Sequence, residues 1–112
     1  MAKAILVAYV TPAGDAAEDE FNRWYDEVHL PQVVARIPGV VGGSRYRLAS
    51  ELLDRADVPA RRYLTIYELD TDDLEATAQR LAAAATDGTL DMSDALAGGD
   101  EAPILHFYRA AR

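Results

Sequence analysis

Residues 4–10, Ala-Ile-Leu-Val-Ala-Tyr-Val, are apolar without a break. A run with no polar alternate reads as a strand buried on both faces, and therefore as a central one. Thr11-Pro-Ala-Gly-Asp15 reads as a loop, and Asp15 followed by Glu18 has the form of a capping box that opens a helix. In that helix Ala17, Phe21, Trp24, Tyr25 and Val28 recur at helical spacing and make one apolar stripe. Pro31 disfavours the α conformation at Leu30, so the backbone is expected to turn there. A second helical segment would then carry Val33, Val34 and Ile37 and end at Pro38-Gly39.

Period-two alternation follows. Residues 40–52 read as a strand in which Tyr46 and Leu48 alternate with Arg45 and Arg47, and Gly42-Gly43 predicts a bulge or a close backbone approach. A charged loop spans 53–59. Residues 62–69 set Tyr63, Thr65 and Tyr67 against Leu64, Ile66 and Glu68. Asp72 and Glu75 repeat the Asp-x-x-Glu helix start; Leu74, Ala78, Leu81, Ala82 and Ala85 form a narrow apolar face, and Gly88 is a plausible stop. Leu90, Met92 and Leu96 suggest one short amphipathic turn. In a last strand over 103–110, Ile104, His106 and Tyr108 oppose Leu105, Phe107 and Arg109. The order β-α-β-β-α-β is the split βαβ pattern of an α+β protein: a four-stranded antiparallel sheet with both helices on one face. Its other face would be a bare apolar surface, rare on a soluble monomer, so two sheets are expected to stack in a two-fold homodimer, as an eight-stranded barrel.

Composition narrows the function classes. The chain has 112 residues, one domain's worth, spanning 1–112. Net charge is −8 and the sole lysine is Lys3, which argues against a nucleic-acid-binding surface. Without cysteine there is no disulfide, thiolate nucleophile or thiolate metal ligand. The first apolar run is too short to cross a bilayer and lacks a cleavage pattern, so a cytoplasmic protein is expected, with no membrane partner. Two histidines among scattered carboxylates have no metal-ligand spacing, and Gly42-Gly43 lacks the context of a phosphate loop. No metal is expected.

Trp24-Tyr-Asp-Glu-Val-His29-Leu-Pro31, then Pro38-Gly39-Val40, then Arg45-Tyr46, together with the topology, resembles the dimeric α/β-barrel (ferredoxin-like) superfamily and within it the EthD-like group. The likeness in motif covers residues 21–47 and in topology the whole domain. It implies a dimeric α/β barrel and a small-molecule protein, often an enzyme needing no cofactor: cyclase, isomerase, lyase or cofactor-free monooxygenase, on an aromatic or polyketide-like ligand. The corresponding histidine in related proteins lines the cavity. Haem-degrading and quinone-forming members use Asn/Trp/His sets drawn from separate elements. Here Asn22, Trp24 and His29 share one helical region, so that set is not transferred.

Each candidate has a functional and a structural reading. His29, beside Tyr25 at the edge of the stripe, suits a general acid or base near neutral pH, or else bonds a carbonyl freed near Pro31. Asp26, three residues earlier, would orient it or simply be solvated. His106, on the same strand face as Tyr108, is either a packed core histidine or a second polar wall of the same cavity. Tyr9, Tyr46, Tyr63, Tyr67 and Tyr108 suit a flat ligand or core and dimer packing. Tyr67, expected beside Tyr9 on a neighbouring parallel strand, is the one best placed to reach a ligand. Trp24 is a core anchor or cavity wall. Arg45 and Arg47 share a face, either to bind an anionic ligand or to protect an edge strand and pair with the acidic helices. The expected assignment is His29 as acid/base, with Tyr67 and His106 stabilising an enolate, and Trp24, Tyr25, Tyr9, Tyr108 and Arg45 around the substrate. The alternative is a non-catalytic small-molecule-binding or structural dimer.

Overall fold

A computed structural model describes residues 2–49 and 61–111. Four strands, β1 (Ala2–Val10), β2 (Val40–Arg47), β3 (Tyr63–Thr71) and β4 (Ile104–Arg109), form one antiparallel sheet in the order β2-β3-β1-β4. The apolar run at 4–10 is indeed central, with a neighbour on each side. The predicted end of the second strand, beyond residue 49, and the charged loop over 53–59 lie outside the described residues.

Strand register sorts the side chains. Leu6 faces Tyr67 and Phe107, Ala8 faces Thr65 and Leu105, and Val10 faces Tyr63. These residues point at the helices and supply the floor of the core. Val7 faces Ile66 and His106, and Tyr9 faces Leu64 and Ile104, on the other side of the sheet. Among the described residues no helix lies there, and Tyr46, Ile104 and Tyr108 are 52%, 41% and 50% exposed. The bare face predicted from the alternation is present.

The first helical region is where sequence and structure part. A 3₁₀ turn (Asp15–Ala17) leads into α1 (Glu18–Trp24), a π turn (Tyr25–His29) and α2 (Leu30–Arg36) without interruption. The 3₁₀ turn is capped from Gly14, with no side-chain cap, so the Asp15 capping box does not form. Pro31 does not turn the chain. In a regular α-helix its ring would crowd the carbonyl four residues back and its missing N–H would break the ladder. The π turn widens the helix there, with the Leu30 N–H donating to the Tyr25 carbonyl five residues earlier, and Leu30 keeps helical φ/ψ of −61° and −47°. Phe21, Trp24, Tyr25 and Val33 therefore all reach the sheet and are buried.

The third helix, α3 (Leu74–Ala84), starts one residue later than the pattern suggested: Asp73, not Asp72, is its N-cap and accepts from the Ala76 N–H at 3.0 Å. Residues 89–97 form no helical turn. They run as an irregular strap whose Leu90, Ala95 and Ala97 are buried. The Ala13 and Ala97 N–H groups donate to Ala95 and Thr11 carbonyls across it. Four further bonds tie the strap to the first helical region: Trp24 Nε1 donates to the Asp91 carbonyl at 2.8 Å, Gln32 donates to the Asp91 carboxylate and accepts from its N–H, and Arg36 donates to the Thr89 carbonyl.

The glycine pair at 42–43 does both things expected of it. A bulge falls between Val40 and Gly42, and a Cβ on Gly43 would lie 3.1 Å from the Tyr67 ring and 3.3 Å from Leu30. Gly39 has φ +99°, and a Cβ there would meet Thr77 at 3.0 Å and Thr71 at 3.3 Å. Gly88 has φ +90° with open space around it. Gly39→Ala should therefore cost about 2–3 kcal/mol, combining strain with a clash, and Gly88→Ala about 1 kcal/mol from strain alone. Urea unfolding of the two variants checks the difference.

Candidate functional site

The π turn sets the site. It brings the His29 ring onto the face of Trp24, with centroids 4.5 Å apart and planes 24° from parallel, and edge-on to Tyr25 at 5.0 Å. Burial of the imidazole pushes its pKa from 6.5 down to about 4, so it is neutral at physiological pH. Its Nδ1 is buried without a hydrogen-bond partner. The carbonyl bond considered from the sequence is thus not made at this nitrogen. Asp26 does not orient the ring either, because its carboxylate accepts from Arg45 Nη1 at 2.9 Å.

Below His29, between the helices and the sheet, lies a cavity of about 130 Å³. Leu6, Ala8 and Val10 of β1 and Tyr67 of β3 form its floor; Tyr25, His29 and Val33 form one wall, and the strap supplies Leu90, Met92 and Leu96. Met92 and Leu105, 43% and 48% exposed, lie at its solvent edge. The Tyr67 hydroxyl and Thr65 Oγ1 are buried beside the Tyr25 phenol, and neither makes a hydrogen bond of full geometry. Burial, reinforced by the adjacent Tyr25, pushes the Tyr67 phenol far above its ordinary pKa of 10. Tyr25 is likewise raised by burial, against the opposing influence of Thr65, Tyr67 and Arg45. Both phenols stay protonated and able to donate.

The expected residues fall into three groups. His29, Tyr25 and Tyr67 meet at the cavity, with Trp24 as the backing of the His29 ring rather than a lining residue. His106, Tyr9 and Tyr108 do not join them. β1 and β3 are antiparallel, not parallel, and Tyr9 pairs with Leu64 while Tyr67 pairs with Leu6, so the two tyrosines point to opposite faces. His106 and Tyr108 share the Tyr9 face, where His106 is exposed and its ring touches Tyr9 at 5.3 Å. It is neither a core histidine nor a wall of this cavity. Tyr108 lines instead a shallower depression of about 480 Å³ on the open face, with Lys3, Ile5, Glu68 and Asp70. That depression is larger but holds neither histidine.

Arg45 is the third case. It does share a face with Arg47, but the face is the helix side, where it pairs with Thr65 in register. Its guanidinium lies 4.6 Å from the Tyr25 ring centroid, donating to Asn22 Oδ1 and Asp26 Oδ1. These bonds match the expected pairing with an acidic helix. Thr65 was the residue of the site that no motif marked. Its alternation with Tyr63 and Tyr67 already placed it on their face, and only the register showed that face to be the buried one. Among the described residues no group of three or more His, Asp or Glu is placed to hold a metal ion.

The four-stranded antiparallel sheet with its helices on one face is the ferredoxin-like α+β fold. An EthD-like protein from Ralstonia eutropha JMP134 matches with a TM-score of 0.60 at 19% identity, covering 100% of this chain and 96% of its own. The heme-degrader MhuD from Mycobacterium tuberculosis, solved with two hemes bound in its active site, matches with a TM-score of 0.56 at 16% identity over 97% and 96% of the two chains. A dimeric ferredoxin-like protein of unknown function from Jannaschia sp. CCS1 gives 0.54 at 17% identity over 94% and 96%. No protein-family model matches the chain, and no curated protein matches it in sequence. No helix among the described residues is long and apolar enough to cross a membrane.

The buried imidazole has a consequence for stability. The unfolded chain takes up the His29 proton near pH 6.5 and the folded chain only near pH 4. Between those values the unfolded state binds more protons, so stability rises with pH across the interval and is lost as pH falls through it. The loss assignable to His29 by pH 4 is about 3 kcal/mol. His29→Leu should remove that component; chemical denaturation of both proteins at pH 4 and 7 measures it.

Proposed function

We propose that the protein is a small-molecule enzyme of the proton-transfer type, acting on an aromatic or polyketide-like ring or a lactone held between the helices and the sheet. One observation carries this reading: a neutral, buried imidazole and a protonated phenol, His29 and Tyr67, line the same cavity, each with a polar atom left without a full hydrogen bond. A neutral imidazole has one lone-pair nitrogen. That nitrogen would take a proton from carbon beside a substrate carbonyl. The C–H electron pair would pass into an enolate whose oxygen accepts the Tyr67 O–H bond. Return of the proton to a different carbon completes an isomerisation, and attack of the enolate carbon on a second carbonyl completes a cyclisation. Capture of the same enolate by dioxygen is the oxygenase variant. The protein would work as a homodimer through the bare sheet face, which carries Tyr9, Tyr46, Ile104 and Tyr108.

The hemes of MhuD do not carry over. A tetrapyrrole is several times too large for a space of about 130 Å³.

The depressed basicity of His29 favours a second reading, binding without turnover. A base whose conjugate acid has a pKa of about 4 is a weak proton acceptor. Deuterium exchange from heavy water into cyclic ketones and lactones separates the two. The enzyme reading expects exchange by the wild type, flat above pH 5 and falling towards pH 4. It also expects a loss of about 100-fold or more in His29→Ala with ligand binding retained. Binding with no exchange by the wild type establishes the second reading. Sedimentation should give twice the chain mass, and Tyr108→Asp together with Ile104→Asp should yield monomer.

A further inference from the structure

We infer that the cavity selects a compact, uncharged molecule of no more than one ring, bearing a carbonyl or hydroxyl group that bonds the Tyr67 hydroxyl. The inference deepens the reading of this cavity as a small-molecule site and rests on it.

Size comes first. A cavity of about 150 Å³ lined by aliphatic and aromatic side chains takes up benzene. The space here, about 130 Å³ and open past Met92 and Leu105, encloses a five- or six-membered ring, and a fused second one would project beyond its apolar walls. Its floor has little slack, because β1 is paired on both sides at Leu6 and Ala8 and with β3 at Val10.

Charge comes second. The lining contains no Asp, Glu, Lys or Arg. The nearby guanidinium of Arg45 gives its two terminal nitrogens to Asn22 and Asp26 and stacks on the Tyr25 ring; its buried Nε has no partner, but Arg45 does not line the cavity. A carboxylate in the cavity would be stripped of water with no cation to meet it, and an ammonium would find no carboxylate. Met92 and Leu105, at the solvent edge, add no charge.

The polar group comes third. The Tyr67 hydroxyl and His29 Nδ1 are buried without a full hydrogen bond, and an orphaned buried polar atom costs about 1–3 kcal/mol. One ligand oxygen satisfies the Tyr67 donor, while the ring covers Leu6, Ala8 and Val33. A purely hydrocarbon ligand leaves both polar atoms orphaned, and a polyol leaves its own hydroxyls unsatisfied against aliphatic walls.

The test uses three probes of graded size and charge: cyclohexanone, benzoate and 1-tetralone. Trp24, the sole tryptophan, stacks on His29 and reports by fluorescence; the His29 ring reports by NMR. Cyclohexanone should give saturable shifts in both signals, with benzoate and 1-tetralone at least about tenfold weaker. Tyr67→Phe should weaken cyclohexanone about tenfold and leave toluene unchanged. Comparable binding of benzoate or 1-tetralone overturns the selection while leaving the cavity a small-molecule site. Undiminished cyclohexanone binding in Tyr67→Phe overturns the role of that hydroxyl. Silence of both reporters towards all three probes overturns the cavity reading itself, and the selection with it.

Discussion

The molecule depends on one local departure from α geometry. The stripe Phe21, Trp24, Tyr25 and Val33 must lie on the helix-facing side of the sheet, because that stripe and the side chains of Leu6, Val10, Tyr63 and Tyr67 bury one another. Pro31 stands in the middle of this stretch. An uninterrupted α-helix would lose a hydrogen bond and suffer a clash there. A break would send Val33 and Ile37 elsewhere. The π turn over Tyr25–His29 resolves the conflict by widening a single turn, and π turns of this kind are frequent at functional sites.

The same turn makes the site. It sets the imidazole against Trp24 and Tyr25 and over the cavity, where desolvation keeps it neutral. Trp24 ties this arrangement to the strap through its bond to the Asp91 carbonyl. Helix, imidazole and cavity roof are thereby linked through one indole. Arg45 holds the opposite flank, pinning Tyr25 from the second strand through ring stacking while Asn22 and Asp26 absorb its charge. Arg45 is thus paired at its two terminal nitrogens, while its Nε, the Tyr67 and Thr65 hydroxyls and His29 Nδ1 are buried without a full hydrogen bond. An apolar cavity with a few convergent polar groups is the usual constitution of a small-molecule site.

The two faces of the sheet have different fates. The helix side encloses the cavity; the other presents Tyr9, Tyr46, Ile104, His106 and Tyr108, with no helix above them among the described residues. A single alternation separates the two sets, and moving one residue along a strand exchanges the cavity side for the open side.

How much of this was legible beforehand follows from the range of the forces concerned. Strand positions, their order, the bare face and the bulge at Gly42 rest on local periodicity and on glycine's missing Cβ, and they were readable in the chain. The placement of His29 beside Tyr25 also follows from helical spacing. Three things were not readable. Pro31 announces a conflict but not its resolution, because the packing of residues on both sides of it decides between a break and a π turn. His106 and Tyr67 each alternate cleanly, yet alternation cannot say which face is covered; that is decided by the antiparallel register of β1 with β3 and β4. The cavity exists only where an irregular strap with no periodicity of its own is tied to a helix nearly sixty residues away in sequence, as in the bonds of Gln32 with Asp91. Sequence alone determined the elements and their order, since those arise between near neighbours; tertiary structure alone decided which side chains share a space, since that depends on contacts between residues far apart in the chain.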